Sequence, residues 1–164
     1  MSIPRVDEEI GKIDFEGKTY GILSAPIDKK LYAKIYQIGL EYGFGFTVSG
    51  HSNVHYYFTV EEKKLHLKEI KYNHFCSYLQ DKIDFKSDTN FIKQITGSEK
   101  IFASWANGII KAVVSSKNIG GDINKIFDRD ILMITVKKGI IIKCQKKHEV
   151  VHNIKRKLEK YIEE

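Results

Sequence analysis

Ile101-Phe-Ala-Ser-Trp105-Ala-Asn107-Gly108-Ile109-Ile-Lys-Ala-Val-Val114 sets two apolar, β-branched runs on either side of an Asn-Gly pair. A type I′ turn needs positive φ at both central positions, and Asn-Gly tolerates this best, so the stretch predicts a β-hairpin. The expected register places Trp105 opposite Ile110 and Phe102 opposite Val113. Both faces of this hairpin are partly apolar, which predicts a position inside a sheet. Trp105, the only tryptophan, is expected in the core.

Three other stretches repeat the pattern. Val54-His-Tyr-Tyr-Phe-Thr-Val60 and Lys64-Leu-His-Leu-Lys-Glu-Ile70 alternate with period 2 around a turn at Glu62-Lys63. That register sets Val60 on Leu65 and Phe58 on Leu67 as the core face, with Thr59 beside His66 and Tyr57 beside Lys68 on the other. Ile131–Val136 and Ile140–Cys144 flank Lys137-Lys138-Gly139, predicting a three-residue loop with Ile134 on Ile142 and Val136 on Ile140. Lys12–Glu16 and Lys18–Leu23 flank Gly17 in the same way.

Helical spacing predicts helices over Asp28–Glu41, capped by Asp28, and over His74–Asp81 and Asp88–Ile95, the last closed by Gly97. A final amphipathic helix is expected over Glu149–Ile162, with Val151, Ile154, Leu158 and Ile162 on one face and Lys155, Arg156, Lys157 and Lys160 around the other. Ser115–Asp122 reads as a mobile loop. The fold expected is α+β: predominantly antiparallel β-hairpins forming a curved sheet or barrel-like core, with a few helices, in a single domain over residues 1–164.

Composition narrows the classes further. The chain has 42% hydrophobic and 29% charged residues, the profile of a globular protein rather than a disordered one. Met1–Lys12 carries acidic residues where a secretory signal needs an apolar run, and no run approaches the length of a membrane span, so a soluble cytoplasmic chain is expected. Cys76 and Cys144 lack the spacing of a disulfide framework or a zinc site. The net charge of +6 invites a nucleic-acid partner, but of 27 cationic residues only Arg5, Arg129 and Arg156 are arginines, the residue best suited to bidentate phosphate recognition. The charge gathers at the C-terminal end: Lys137–Lys160 holds nine basic and two acidic residues, a local +7. An acidic partner is expected to meet that third of the chain.

The candidate binding residues are His55, Tyr57, His66 and Lys68 on the polar hairpin face and Lys155 and Arg156 in the basic segment. An aromatic and basic set of this kind suits a base, a phosphate or an acid–base pair, although cross-strand pairs of the same composition stabilise any hairpin. His51 and His55 would share a face on a helix, but a strand sets residues four apart at about 13 Å, too far for one metal. Asp128-Arg129-Asp130 reads as a polar loop before a strand rather than a nuclease site, because the strand after it is apolar. P-loop, dinucleotide, nucleophile-elbow and CxxC signatures are absent, so the reading leans away from catalysis and expects no cofactor and no metal.

Phe102-Ala-Ser-Trp105-Ala-Asn107-Gly108, with Lys64–Ile70 before it and Asp130-Ile-Leu-Met-Ile and Lys138-Gly139-Ile-Ile after it, resembles a group of small bacterial β-rich proteins. The resemblance spans about residues 53–144, with Ala106 where such proteins carry an aromatic, and it implies the hairpin registers above and no functional residue. The expected function is a non-enzymatic binding protein, such as an immunity or accessory factor that neutralises a bacterial protein partner. The alternative is a nucleic-acid-binding or nucleic-acid-processing protein using the His55, Tyr57, His66 face or the C-terminal lysines.

Overall fold

The computed structural model describes residues 9–41, 54–72 and 89–152. Their elements run β1 (Gly11–Phe15), β2 (Lys18–Ile22), α1 (Lys29–Glu41), β3 (Val54–Glu61), β4 (Lys64–Tyr72), α2 (Ile92–Thr96), β5 (Ile101–Phe102), β6 (Gly108–Asn118), β7 (Ile126–Lys137) and β8 (Ile140–His152). The described strands form one mixed sheet in the order β3-β1-β2-β6-β7-β8-β4-β5, and β3 also pairs with β4. The ladders therefore close a ring of seven strands, the barrel-like core expected of the hairpin pattern, with β5 sharing the second edge of β4 with β8. All ladders are antiparallel except β1–β3, where Ile13 pairs with Phe58 in parallel. No helix among the described residues is long and apolar enough to cross a membrane.

Period-2 alternation sends one face of each strand inward. Ile13 and Phe15 of β1, Tyr56 and Phe58 of β3, Leu65 and Leu67 of β4, Ile110 and Ala112 of β6, and Leu132, Ile134 and Val136 of β7 form the core. Burying side chains of this size is worth about 1.5–3 kcal/mol each. Helix α1 adds Leu31 and Ile35, and its first turn is capped by Asp28, whose carboxylate accepts the Leu31 N–H at 2.6 Å. The Tyr72 hydroxyl donates to the Ile35 carbonyl at 2.5 Å, tying β4 to the helix, and burial pushes that phenol far above its ordinary value. Gly97 closes α2 in the left-handed conformation, as its position predicted.

The Asn107-Gly108 hairpin does not form. Ile101 and Phe102 pair instead with Leu67 and His66 of β4, and β6 pairs with β7 and β2. Ala103 and Ala106 are both fully buried, a spacing of three that a strand cannot present to one face, and Ala106 N–H bonds the Ala103 carbonyl at 3.0 Å in a tight turn. Trp105 is half-buried and donates its indole N–H to the Pro26 carbonyl at 2.6 Å. The Asn107 side chain accepts the Lys138 N–H at 2.9 Å, so Asn-Gly braces another hairpin's turn.

The hairpin it braces has a two-residue loop, Lys138-Gly139, with φ of 49° and 80°, rather than three residues. A bulge at Thr135/Val136 then shifts the pairing, setting Val136 on Ile141 and Ile134 on Cys144, where Ile140 and Ile142 were expected. The Glu62-Lys63 hairpin forms as predicted, with Val60 on Leu65, Phe58 on Leu67 and Thr59 on His66; a bulge at Tyr57/Phe58 pairs Tyr57 with Glu69 instead of Lys68. The β1–β2 hairpin turns at Glu16-Gly17.

Ser115–Asn118, expected as loop, continues β6 opposite Phe127–Asp130, so Asp128-Arg129-Asp130 is strand rather than loop. Glu149–His152, expected to begin the C-terminal helix, instead complete β8, held by the pairing of Glu149 with Arg129 and Val151 with Phe127. The rest of that helix, the predicted helix over 74–81, and His51 lie outside the described residues.

Candidate functional site

The outer face of β1, β3 and β4 carries the polar set nominated by the alternation. The parallel β1–β3 ladder brings Asp14 beside Thr59, and the β1–β2 hairpin sets it opposite Thr19. One Asp14 oxygen accepts the Thr19 hydroxyl at 2.6 Å and the Tyr57 hydroxyl at 3.0 Å; the other accepts the Lys68 ammonium at 2.8 Å. The same ammonium lies 4.3 Å from the centre of the Tyr57 ring, a cation–π contact. Partial burial pushes the Asp14 carboxyl up, but the hydrogen bonds from Lys68, Thr19 and Tyr57 outweigh it and hold the group below the ordinary carboxylate value. The hydrogen bond to Asp14 raises Lys68 in turn. Both groups are held charged, so neither is poised near neutrality to exchange a proton.

Beside this network is an open cleft of about 260 Å³ lined by Glu9, Lys12, His55, Tyr57, Glu69 and Lys71, with Gly11 and Tyr56 in its floor. Lys71 pairs with Glu69 at 3.1 Å. The floor depends on Gly11: a Cβ there would stand 1.9 Å from the Tyr56 carbonyl oxygen. The wall thus mixes cations, carboxylates and two aromatic rings.

His66 belongs elsewhere. It lies against the Phe102 ring at 5.8 Å and 4.0 Å from Glu61, whose carboxylate the Lys100 ammonium holds at 2.7 Å. His55 pairs with Lys71 and His66 with Thr59, four positions along β3, so about 13 Å of strand separates the two histidines. The structure therefore joins Tyr57 with Lys68 and with His55, and sets His66 apart; Lys155 and Arg156 lie outside the described residues. Asp14 carries no local signal of its role, because two of its three partners, Tyr57 and Lys68, come from strands 43 and 54 residues away.

A second polar group sits where β6, β7 and β8 run on beyond the ring. Arg129, 5% exposed, donates to Glu149 through Nε at 2.7 Å, and Lys111 stands 3.8 Å from the same carboxylate. On the opposite face His148 lies between Asp130 at 2.8 Å and Asp128 at 2.7 Å. The hydrogen bond to Asp130 and the charge of Asp128 raise the imidazole above its ordinary value. Cys144 is exposed, and desolvation with the nearby Glu16 raises its thiol, which keeps it protonated and a weak nucleophile. No group of His, Cys, Asp and Glu among the described residues is arranged to hold a metal ion.

No known protein family, curated protein or solved structure matches the chain.

Proposed function

We propose that the chain is a non-enzymatic binding protein that engages a protein partner by surface complementarity, as an immunity or accessory factor does. The observation that carries this reading is the closed network of Asp14, Thr19, Tyr57 and Lys68 beside a cleft whose wall alternates Lys12 and Lys71 with Glu9 and Glu69. Fixed charges of both signs around aromatic rings favour shape and charge matching with another protein surface. Binding of single-stranded nucleic acid through this face is disfavoured by the same contacts: Lys68 already covers the Tyr57 ring on which a base would stack.

The test is affinity capture with the full chain, repeated after nuclease treatment and across ionic strength. A single protein partner retained through nuclease treatment and lost by Lys71→Glu supports the reading. Tight oligonucleotide binding with a steep salt slope, or equal capture by the variant, overturns it.

A further inference from the structure

We propose that the edge of β8 left unpaired among the described residues is a strand-addition site for an extended acidic segment of a partner protein. The inference rests on the binding reading above and adds a second contact for the same partner, on a surface apart from the cleft of Glu9, Lys12, Glu69 and Lys71. Strand β8 has 13 residues and pairs with β7 along its length, but it meets β4 only where Ile140 faces Lys64. The two strands run antiparallel and β4 begins at Lys64, so β8 continues past the Glu62-Lys63 turn with no described strand beside it. Among the described residues its last backbone bond to that side is Ile141 N–H to the Lys63 carbonyl at 2.7 Å. Every residue from Ile142 to His148 is exposed. An edge in this state offers a row of backbone donors and acceptors to an added strand.

Charge selects the occupant. Lys143 and Lys147 lie on the face of Thr135 and Ile131, and Lys146 on the face of Leu132, so an incoming strand meets cations on both of its sides. Among the described residues these three lysines form no ion pair, whereas the carboxylates of the β7–β8 ladder are taken: Glu149 by Arg129, and Asp128 and Asp130 by His148. A lysine row of this kind repels a second copy of the same edge and attracts an acidic strand. At the near end a hollow of about 370 Å³, walled by Phe15, Val60, Ile141, Ile142 and Cys144 and rimmed by Glu16, Glu62, Lys63 and Lys143, has room for one apolar side chain. The segment that fits is therefore extended, rich in Asp or Glu, and led by an apolar residue.

The test measures binding of a fluorescent peptide of about ten residues, a leucine followed by alternating Glu and Val, to the full chain. Its controls are the same peptide N-methylated at alternate backbone amides, polyglutamate, and oligothymidylate. The alternating peptide is expected to bind saturably. N-methylation removes ladder donors and should weaken it at least about tenfold, and Lys143→Glu with Lys146→Glu and Lys147→Glu should do the same, as three surface ion pairs together are worth about that much. Unfolding of the triple variant followed by Trp105 fluorescence establishes that it is folded. No saturable binding, equal binding of the N-methylated peptide or of polyglutamate, or tighter binding of oligothymidylate would overturn the site. A protein partner captured equally by the wild type and the triple variant overturns the β8 site while leaving the binding reading intact.

Discussion

Asp14 satisfies three donors from three strands with two oxygens, so it ties β2, β3 and β4 to β1 on the solvent side of the ring. Asp14→Asn keeps the shape and removes the charge, and it should cost about 1–2 kcal/mol in urea unfolding, with most of that loss absent in a Lys68→Met background. Because the folded carboxyl lies below its ordinary 3.8, its contribution is present above that pH and is lost as pH falls through the lower folded value; the Asn variant should show no such loss. His148 has the opposite sign. Its folded pKa is raised above 6.5, so the stabilisation by Asp128 and Asp130 is complete below 6.5 and fades as pH rises through the folded value. An NMR titration should put its midpoint above 6.5, and Asp130→Asn should bring the midpoint down. The alternation made Tyr57 and Lys68 legible as neighbours. Asp14 and the Arg129–Glu149 pair are illegible because Tyr57 and Lys68 reach Asp14 from distant strands and Glu149 reaches Arg129 across 20 residues.

The hairpins show where turn chemistry decides the fold and where it yields. Three two-residue loops form, at Glu16-Gly17, Glu62-Lys63 and Lys138-Gly139, each with positive φ at both positions, yet the sequence's one Asn-Gly pair forms none of them. Local preference favoured a hairpin there, and it lost to the burial of Ala103 and Ala106 and to the long β6–β7 ladder, which packs Ile110 and Ala112 against Leu132 and Ile134. The Glu62-Lys63 turn was found from the alternation on either side despite residues ill suited to its conformation. Glu62→Asn with Lys63→Gly should therefore stabilise the protein by about 1 kcal/mol in thermal or urea unfolding. Strand β1 makes the converse point. Gly11→Ala drives a methyl group into the Tyr56 carbonyl, which no rotamer relieves, and should cost at least about 2–3 kcal/mol, measured by the urea midpoint.

At the scale of the whole molecule, the hairpins and most of the core positions were readable, and the closure of the ring was not. Closure depends on β1 meeting β3 in parallel, β2 meeting β6 and β4 meeting β8, contacts between residues far apart in sequence with no shared local signal. The joints are also unequal. The β6–β7 and β7–β8 ladders run ten and twelve pairs, whereas β2 meets β6 at two and β4 meets β8 at one. The ring is thus two well-knit sheets, β1 to β4 and β6 to β8, buttoned together along two short seams. Opening a seam breaks few backbone bonds, so native-state hydrogen exchange should find the Leu65, Ile141 and Leu23 amides, which bond across the seams, released in sub-global openings of lower free energy than those freeing the Ile134 amide in the middle of β7. Since both leaves share one apolar core, such a molecule is held shut by its interior more than by its stitching, and its joints fray before either leaf does.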